Sequence, residues 1–306
     1  MISIRQLQCL SAVGETLHFR RAAERLNLSQ PALSAQIAQL EEHLGVMLLE
    51  RTRRKVLLTP MGREVLARAR AILRDVSELE ETARYHAQAP LSGTLRVGVL
   101  RTLGPYLLPH ILPQMRTHFP ELKLYLREEP RERLLTELAQ GDLDILLISA
   151  APTGDDHLSV VALFDEPLWL ILPLGHRLER QQAVTDAQLA GEPLIMLEVG
   201  DGIRDPALAL CQRSGAFPHP DFHATSLDSL RQMVATGLGT TLLPALYVQA
   251  EALADDQIAV RPFDGTPPSR PIHLVWRRTT ARSDDYRLFA RLILENLPPS
   301  VTRLGP

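Results

Sequence analysis

Two cysteines, ten histidines and a few well-placed hydroxyl and cationic side chains are the chemistry-bearing residues of this chain of 306. Cys9 and Cys211 are too few for a disulfide-stapled secreted fold or a thiolate zinc site, which suits a reducing cytoplasm. His110, His118, His176, His219 and His223 show no metal-ligand spacing with Cys or Asp, so no metal is expected. Gly-x-Ser-x-Gly, His-Glu-x-x-His and Gly-Lys-Ser/Thr patterns are missing; neither an enzyme nor a cofactor is expected. Cys211 follows Asp205-Pro206 in a segment that ends at Ser214-Gly215 and reads as a short capped helix, with Leu208 and Cys211 one turn apart. On an apolar stripe a cysteine is a small, inert hydrophobe, whereas Arg204 or Arg213 close by would favour thiolate. Both readings stand on sequence alone, and a reactive Cys211 would have sulfenic acid or a mixed disulfide as its products. Thr102, after a strand, and Thr225-Ser226, before a helix, either meet an anion or another small polar ligand in a cleft or serve as caps.

A second kind of chemistry is base reading. Phe19, Ala22, Ala23 and Leu26 share one side of a short helix, Asn27-Leu28 is a turn, and a second helix buries Leu33, Ile37 and Leu40. Ser29 is placed to cap that helix and Pro31 sits in its first turn. Ser29, Gln30, Pro31, Ala32, Ser34 and Gln36 are left for a major groove, although an exposed helical hairpin would share the pattern. Glu50-Arg-Thr-Arg-Arg-Lys55 before an alternating apolar run reads as a two-stranded wing whose Arg51, Arg53, Arg54 and Lys55 lie along phosphates. Residues 1–70 hold 11 Lys/Arg against 6 Asp/Glu in a chain of net charge −3, so the basic end is the nucleic-acid end.

These side chains need elements to hold them. From Pro60, bounded by Pro90, one long helix carries Val65, Ala69, Ile72, Val76, Leu79 and Ala83 at alternating steps of four and three, a coiled-coil seam that implies a homodimer and a two-fold-related operator on double-stranded DNA. Beyond Leu91-Ser-Gly93 strands and helices alternate. The order predicts a mostly parallel sheet flanked by helices, repeated as a second lobe, with the cleft between lobes as the ligand site. The expected division is a winged helix-turn-helix over 1–59, a linker helix over 60–89 and a two-lobed α/β domain over 90–306. Its first lobe takes about 90–163 and 268–306, its second about 164–267. The longest uncharged apolar runs, such as Ile145-Leu-Leu-Ile148, are strand-sized, and no membrane partner or export signal is expected.

Arg21-Ala-Ala-Glu24, Leu28-Ser-Gln-Pro-Ala-Leu-Ser34, Gln36-Ile37, Leu40-Glu-Glu42 and Gly45 together resemble the signature of the LysR-type transcriptional regulators. Within that family the chain is most similar to the hydrogen peroxide sensors. The similarity is carried by Val46-Met-Leu-Leu-Glu-Arg-Thr52, Gly104-Pro-Tyr-Leu-Leu-Pro-His110, Leu163-Phe-Asp-Glu-Pro167, Met196-Leu-Glu198, Arg204-Asp205, Ala224-Thr-Ser-Leu227 and Thr241-Leu-Leu-Pro-Ala245. The resemblance implies a cytoplasmic regulator of the oxidative stress response with a periplasmic-binding-protein-like effector domain, acting as a homodimer or homotetramer, with RNA polymerase as a further partner. The same resemblance implies a sensing segment Gly-His-Cys-x-Arg-Asp and a second Cys that closes a disulfide. Here the segment reads Gly200-Asp-Gly-Ile-Arg-Asp205, so Asp201 and Gly202 replace the His and the reactive Cys, while Cys211 falls at the resolving position. Three readings remain: a sensor working through Cys211 alone, a small metabolite or anion sensed in the cleft, or a segment altered at this site. A thiol returned at position 202 is expected to restore a pair able to cross-link. A solute-binding protein could share the two lobes but would have no use for residues 1–60.

Overall fold

In the computed structural model, which describes residues 1–51, 56–85, 90–151, 154, 156–198 and 201–304, the chain divides into two compact units, Met1–Gln88 and Ala89–Pro306. The first holds α1 (Ile4–Thr16), α2 (Phe19–Arg25), α3 (Gln30–Leu44), β1 (Leu49–Arg51), β2 (Val56–Leu58) and α4 (Pro60–Tyr85). A capping box opens α1, with the Ser3 hydroxyl accepting from the Gln6 N–H and the Gln6 side chain accepting from the Ser3 N–H. Leu10, Val13, Ala22, Leu33, Ile37, Leu40 and Leu48 make the core, and the small Ala22 and Ala23 let α2 lie close to its neighbours. Asn27 takes a left-handed turn at φ 52°, where its short polar side chain is tolerated. β1 and β2 pair antiparallel, with Arg51 opposite Val56.

One expectation about α4 needs correcting. Ala69 is only 1% exposed and sits with Leu66 in this core, and Val65 packs against it, so these two positions serve the head's own fold. Ile72 and Leu79, at 46% and 71% exposed, stand on the outside, and Val76 is half-buried. At 3.6 residues per turn, positions 62, 66, 69 and 73 run down one side toward α1 and leave a different side for a partner. The side chain of Ala83 lies outside the described residues.

The second unit contains β3 (Gly93–Val99), α5 (Gly104–His118), β4 (Leu122–Glu128), α6 (Arg131–Gln140), β5 (Ile145–Ser149), β6 (Leu158–Pro173), β7 (Pro193–Leu197), α7 (Arg204–Ser214), β8 (Phe217–Ala224), α8 (Leu227–Ala235), β9 (Thr241–Pro244), α9 (Ala245–Tyr247), β10 (Ile258–Arg261), β11 (Ser269–Arg277), α10 (Ser283–Glu295) and β12 (Thr302–Arg303). The main sheet runs β10-β6-β11-β5-β3-β4, with β9 and β12 also on β6. It is mixed, not mostly parallel: β3 pairs parallel with β4 and β5, but β11 runs antiparallel to β5 and β6, as do β9, β10 and β12 to β6. β7 and β8 form a separate parallel pair. The cause is β6, a single strand of 16 residues that pairs with β11 over its first part and with β9 and β10 over its last. Two apolar cores result, one around Val97, Leu147, Phe164, Trp276 and Phe289, the other around Leu170, Leu194, Leu210, Leu230 and Tyr247. Tyr106 of α5 packs against both, edge-on to Tyr247 at 5.0 Å between ring centres.

Candidate functional site

The reading head is built outward from three buried leucine and isoleucine side chains. Leu33, Ile37 and Leu40 are fully buried, which turns the opposite side of α3 to solvent. There Gln30, Pro31 and Ala32 are exposed, and Ser34 and Gln36 half-buried. The Ser29 hydroxyl accepts from the Ala32 N–H at 3.3 Å, satisfying one orphan donor of the first turn, where Pro31 brings none of its own. Small, uncharged side chains at a helix start suit close approach to a groove. Arg51 ends β1. Arg53, Arg54 and Lys55, the expected phosphate contacts, lie outside the described residues.

The segment from Asp201 leads into α7, which begins at Arg204 behind Ile203, so Asp205 lies inside the first turn and is not the cap. Cys211 is buried among Ala207, Leu210 and neighbours of the second core, and burial pushes its thiol pKa up. Neither expected cation serves it: Arg204 donates to the Leu197 carbonyl at 3.5 Å, and Arg213 is paired with Asp186. The inert reading is the one this environment favours.

Gly202 has φ 77°, and a Cβ there would lie 2.3 Å from Ser149 Oγ and 2.4 Å from Ser149 Cβ. Beside it, Asp201 is 4% exposed, and burial raises its carboxyl pKa against the opposing pull of Arg270, a hydrogen bond with Thr102, and Arg101. Asp201 Oδ1 and Ser149 Oγ are buried without a hydrogen-bond partner.

The organising residue is one that sequence reasoning missed. Arg270, at the start of β11, is 0% exposed and donates to Thr102 Oγ1 at 2.7 Å, the Thr102 carbonyl at 2.9 Å, the Asp201 carbonyl at 2.9 Å and Glu166 Oε2 at 2.9 Å. Glu166, equally buried on β6, accepts from the Leu246 N–H at 3.0 Å through its other oxygen. One guanidinium therefore ties the loop after β3, the segment at Asp201 and β6 together, and β6 carries the tie on to the start of α9. Thr102, Asp201 and Gly202 come together here. Thr225 and Ser226 do not: both are exposed, and the Ser226 hydroxyl accepts from the Ser229 N–H at 3.2 Å as the cap of α8. Among the described residues no group of His, Cys, Asp and Glu could hold a metal ion, and no helix is long and apolar enough to cross a membrane.

Comparison with known proteins agrees with this architecture. Residues 4–63 match the bacterial regulatory helix-turn-helix proteins of the lysR family, and residues 88–298 match the LysR substrate binding domain. The chain is 43% identical over 292 residues to the DNA-binding transcriptional dual regulator OxyR of Escherichia coli, covering 95% of each protein. It is 41% identical to a probable hydrogen peroxide-inducible genes activator of Streptomyces viridosporus, over 98% of this chain and 97% of the other. Among solved structures, a full-length OxyR variant from Pseudomonas aeruginosa superposes with a TM-score of 0.78 at 32% identity, over 96% of this chain and 95% of that one. With both the helix-turn-helix and the substrate binding domain matched, the chain belongs to the LysR family of bacterial DNA-binding regulators, among the relatives of the hydrogen peroxide-inducible genes activators.

Proposed function

We propose that this chain regulates genes of the peroxide response from a two-fold-related DNA site, as a homodimer joined along the outer side of α4, with its redox switch altered. Homotetramer assembly, RNA polymerase and a peroxide or small anionic effector are the further partners this reading carries. The observation that supports the altered switch is Gly202, pressed against Ser149 where the family's disulfide would need a thiol. Cys9 and Cys211, the two cysteines of the chain, are buried in the cores of different units, which leaves no pair for an internal bridge. The test is binding of the purified chain to duplex DNA across a salt series, before and after mild hydrogen peroxide. Affinity is expected to fall with a log–log slope of about −0.9 for each phosphate neutralised. Peroxide is expected to leave no intramolecular disulfide on a non-reducing peptide map. A Cys9–Cys211 bridge within one chain, or salt-independent DNA binding, would overturn this reading.

The dimer has its own expected result. Ile72→Glu puts a carboxylate on the exposed side and should loosen the dimer by several kcal/mol while the head stays folded. Ala69→Glu should instead unfold the head. Sedimentation velocity and helical circular dichroism separate the two, and identical behaviour of both variants would contradict the division of α4 into an inner and an outer side.

A further inference from the structure

A knot of contacts joins the recognition helix to α4, with Leu48 at its centre. Glu41, buried in the last turn of α3, accepts from the Leu48 N–H at 2.8 Å and the Leu49 N–H at 3.1 Å through one carboxylate oxygen. The Leu48 carbonyl accepts from the Thr59 N–H at 3.0 Å, while the Thr59 hydroxyl donates to the Met47 carbonyl at 2.8 Å with the Leu48 carbonyl 3.3 Å away. Thr59 Oγ1 in turn accepts from the Gly62 N–H at 2.8 Å, in the first turn of α4. Gly62 closes the loop, since a Cβ there would lie 1.9 Å from the Leu48 carbonyl oxygen and 2.9 Å from its carbon. Gly62 is helical and needs no left-handed backbone, so close approach alone demands the glycine. The atoms it faces are backbone, held by Glu41 on one side and Thr59 on the other. Gly14 of α1 is the useful contrast: its Cβ would meet the Leu66 side-chain tip at 2.5 Å, and a side-chain tip can rotate away.

We propose that Gly62, backed by Glu41 through Leu48, is a positioning residue for operator spacing: it sets the angle at which α4 leaves the reading head, and thereby the separation of two recognition helices. The proposal rests on the α4 dimer described above. Its size follows from geometry. An ordinary C···O approach is about 3.3 Å, so an added Cβ must open the contact by about 1.4 Å. With Ala69 as pivot, about 10 Å along the helix at 1.5 Å per residue, that is a tilt of about 8°. The head lies about 26 Å from Leu79 by the same rise, so each head swings by about 3.5 Å and the pair by about 7 Å, two base-pair steps of about 3.4 Å.

Selection from a random duplex pool by the full chain reads half-site letters and half-site spacing separately. The parent is expected to return paired half-sites at one spacing. Gly62→Ala should return the same letters at a spacing moved by one or two base pairs. It should bind the parent's paired site about tenfold more weakly, a 1.4 kcal/mol change, yet bind a single half-site as the parent does. Thr59→Val removes the hydroxyl contacts without adding bulk, and should shift spacing in the same assay if Gly62→Ala does not fold. Unchanged spacing in the folded variants overturns the proposal, as does an equal loss on single and paired sites, which would mean that the knot merely supports the head. Unpaired half-sites from the parent itself would remove the dimer, and the spacing role with it.

Discussion

Arg270→Ala is expected to cost the effector unit about 3–5 kcal/mol, the usual penalty for stripping one partner from a buried ion pair. The variant leaves the fully buried Glu166 carboxylate without its partner, and it orphans the carbonyls of Thr102 and Asp201 at the same time. Against a typical domain stability of about 5–15 kcal/mol, that is enough to open or unfold the unit. Both tryptophans, Trp169 and Trp276, lie in this unit, so urea denaturation followed by tryptophan fluorescence reads it without interference from the reading head. Arg270→Met with Glu166→Leu should recover much of the loss, because a matched apolar pair removes both buried charges together. A double-mutant cycle gives the coupling. A single Arg270→Ala variant within about 0.5 kcal/mol of the parent, the range of an ordinary surface substitution, would mean that this guanidinium holds nothing together.

Gly202→Cys is expected to destabilise the same unit. The expectation drawn from sequence, a pair with Cys211 able to cross-link after local rearrangement, carries this added cost. A non-glycine residue at φ 77° carries a strain of about 1–3 kcal/mol, and the new Cβ must displace a Ser149 side chain that is itself buried. Both Ser149 Oγ and Cβ are too close, so Ser149→Gly should partly rescue Gly202→Cys while Ser149→Ala should not. Urea midpoints of the two double variants decide it. Equal rescue by alanine, or a Gly202→Cys single variant as stable as the parent, would show that Ser149 does not exclude a side chain at 202.

The reading head was legible because its signals are local. Apolar spacing within α2 and α3, a hydroxyl before Pro31 and a turn at Asn27 all act within a few residues of one another. Ala69 was misplaced because a heptad seam and a core-facing stripe share positions over two or three turns, and only the presence of α1 tells them apart. Arg270 and Glu166 are 104 positions apart, and charged residues ordinarily face water, so nothing local marked them as buried. Strand β6 is hard to read from sequence in full length, since Asp165, Glu166 and Pro167 break the apolar run in its middle. Those interrupting residues mark where the strand passes from one core to the other.

That passage bears on how such a protein can be recombined. A strand shared by two sheets cannot be inherited by halves: a crossover placed between Phe164 and Leu168 would give each descendant lobe a stump that must match a foreign partner in register. Exchange between relatives has a workable joint near Ala89, where one compact unit ends and the next begins. Within the effector unit, the two lobes must change together or keep Glu166, Arg270 and the strand between them unaltered, which makes this unit a single object of selection even though it has two cores.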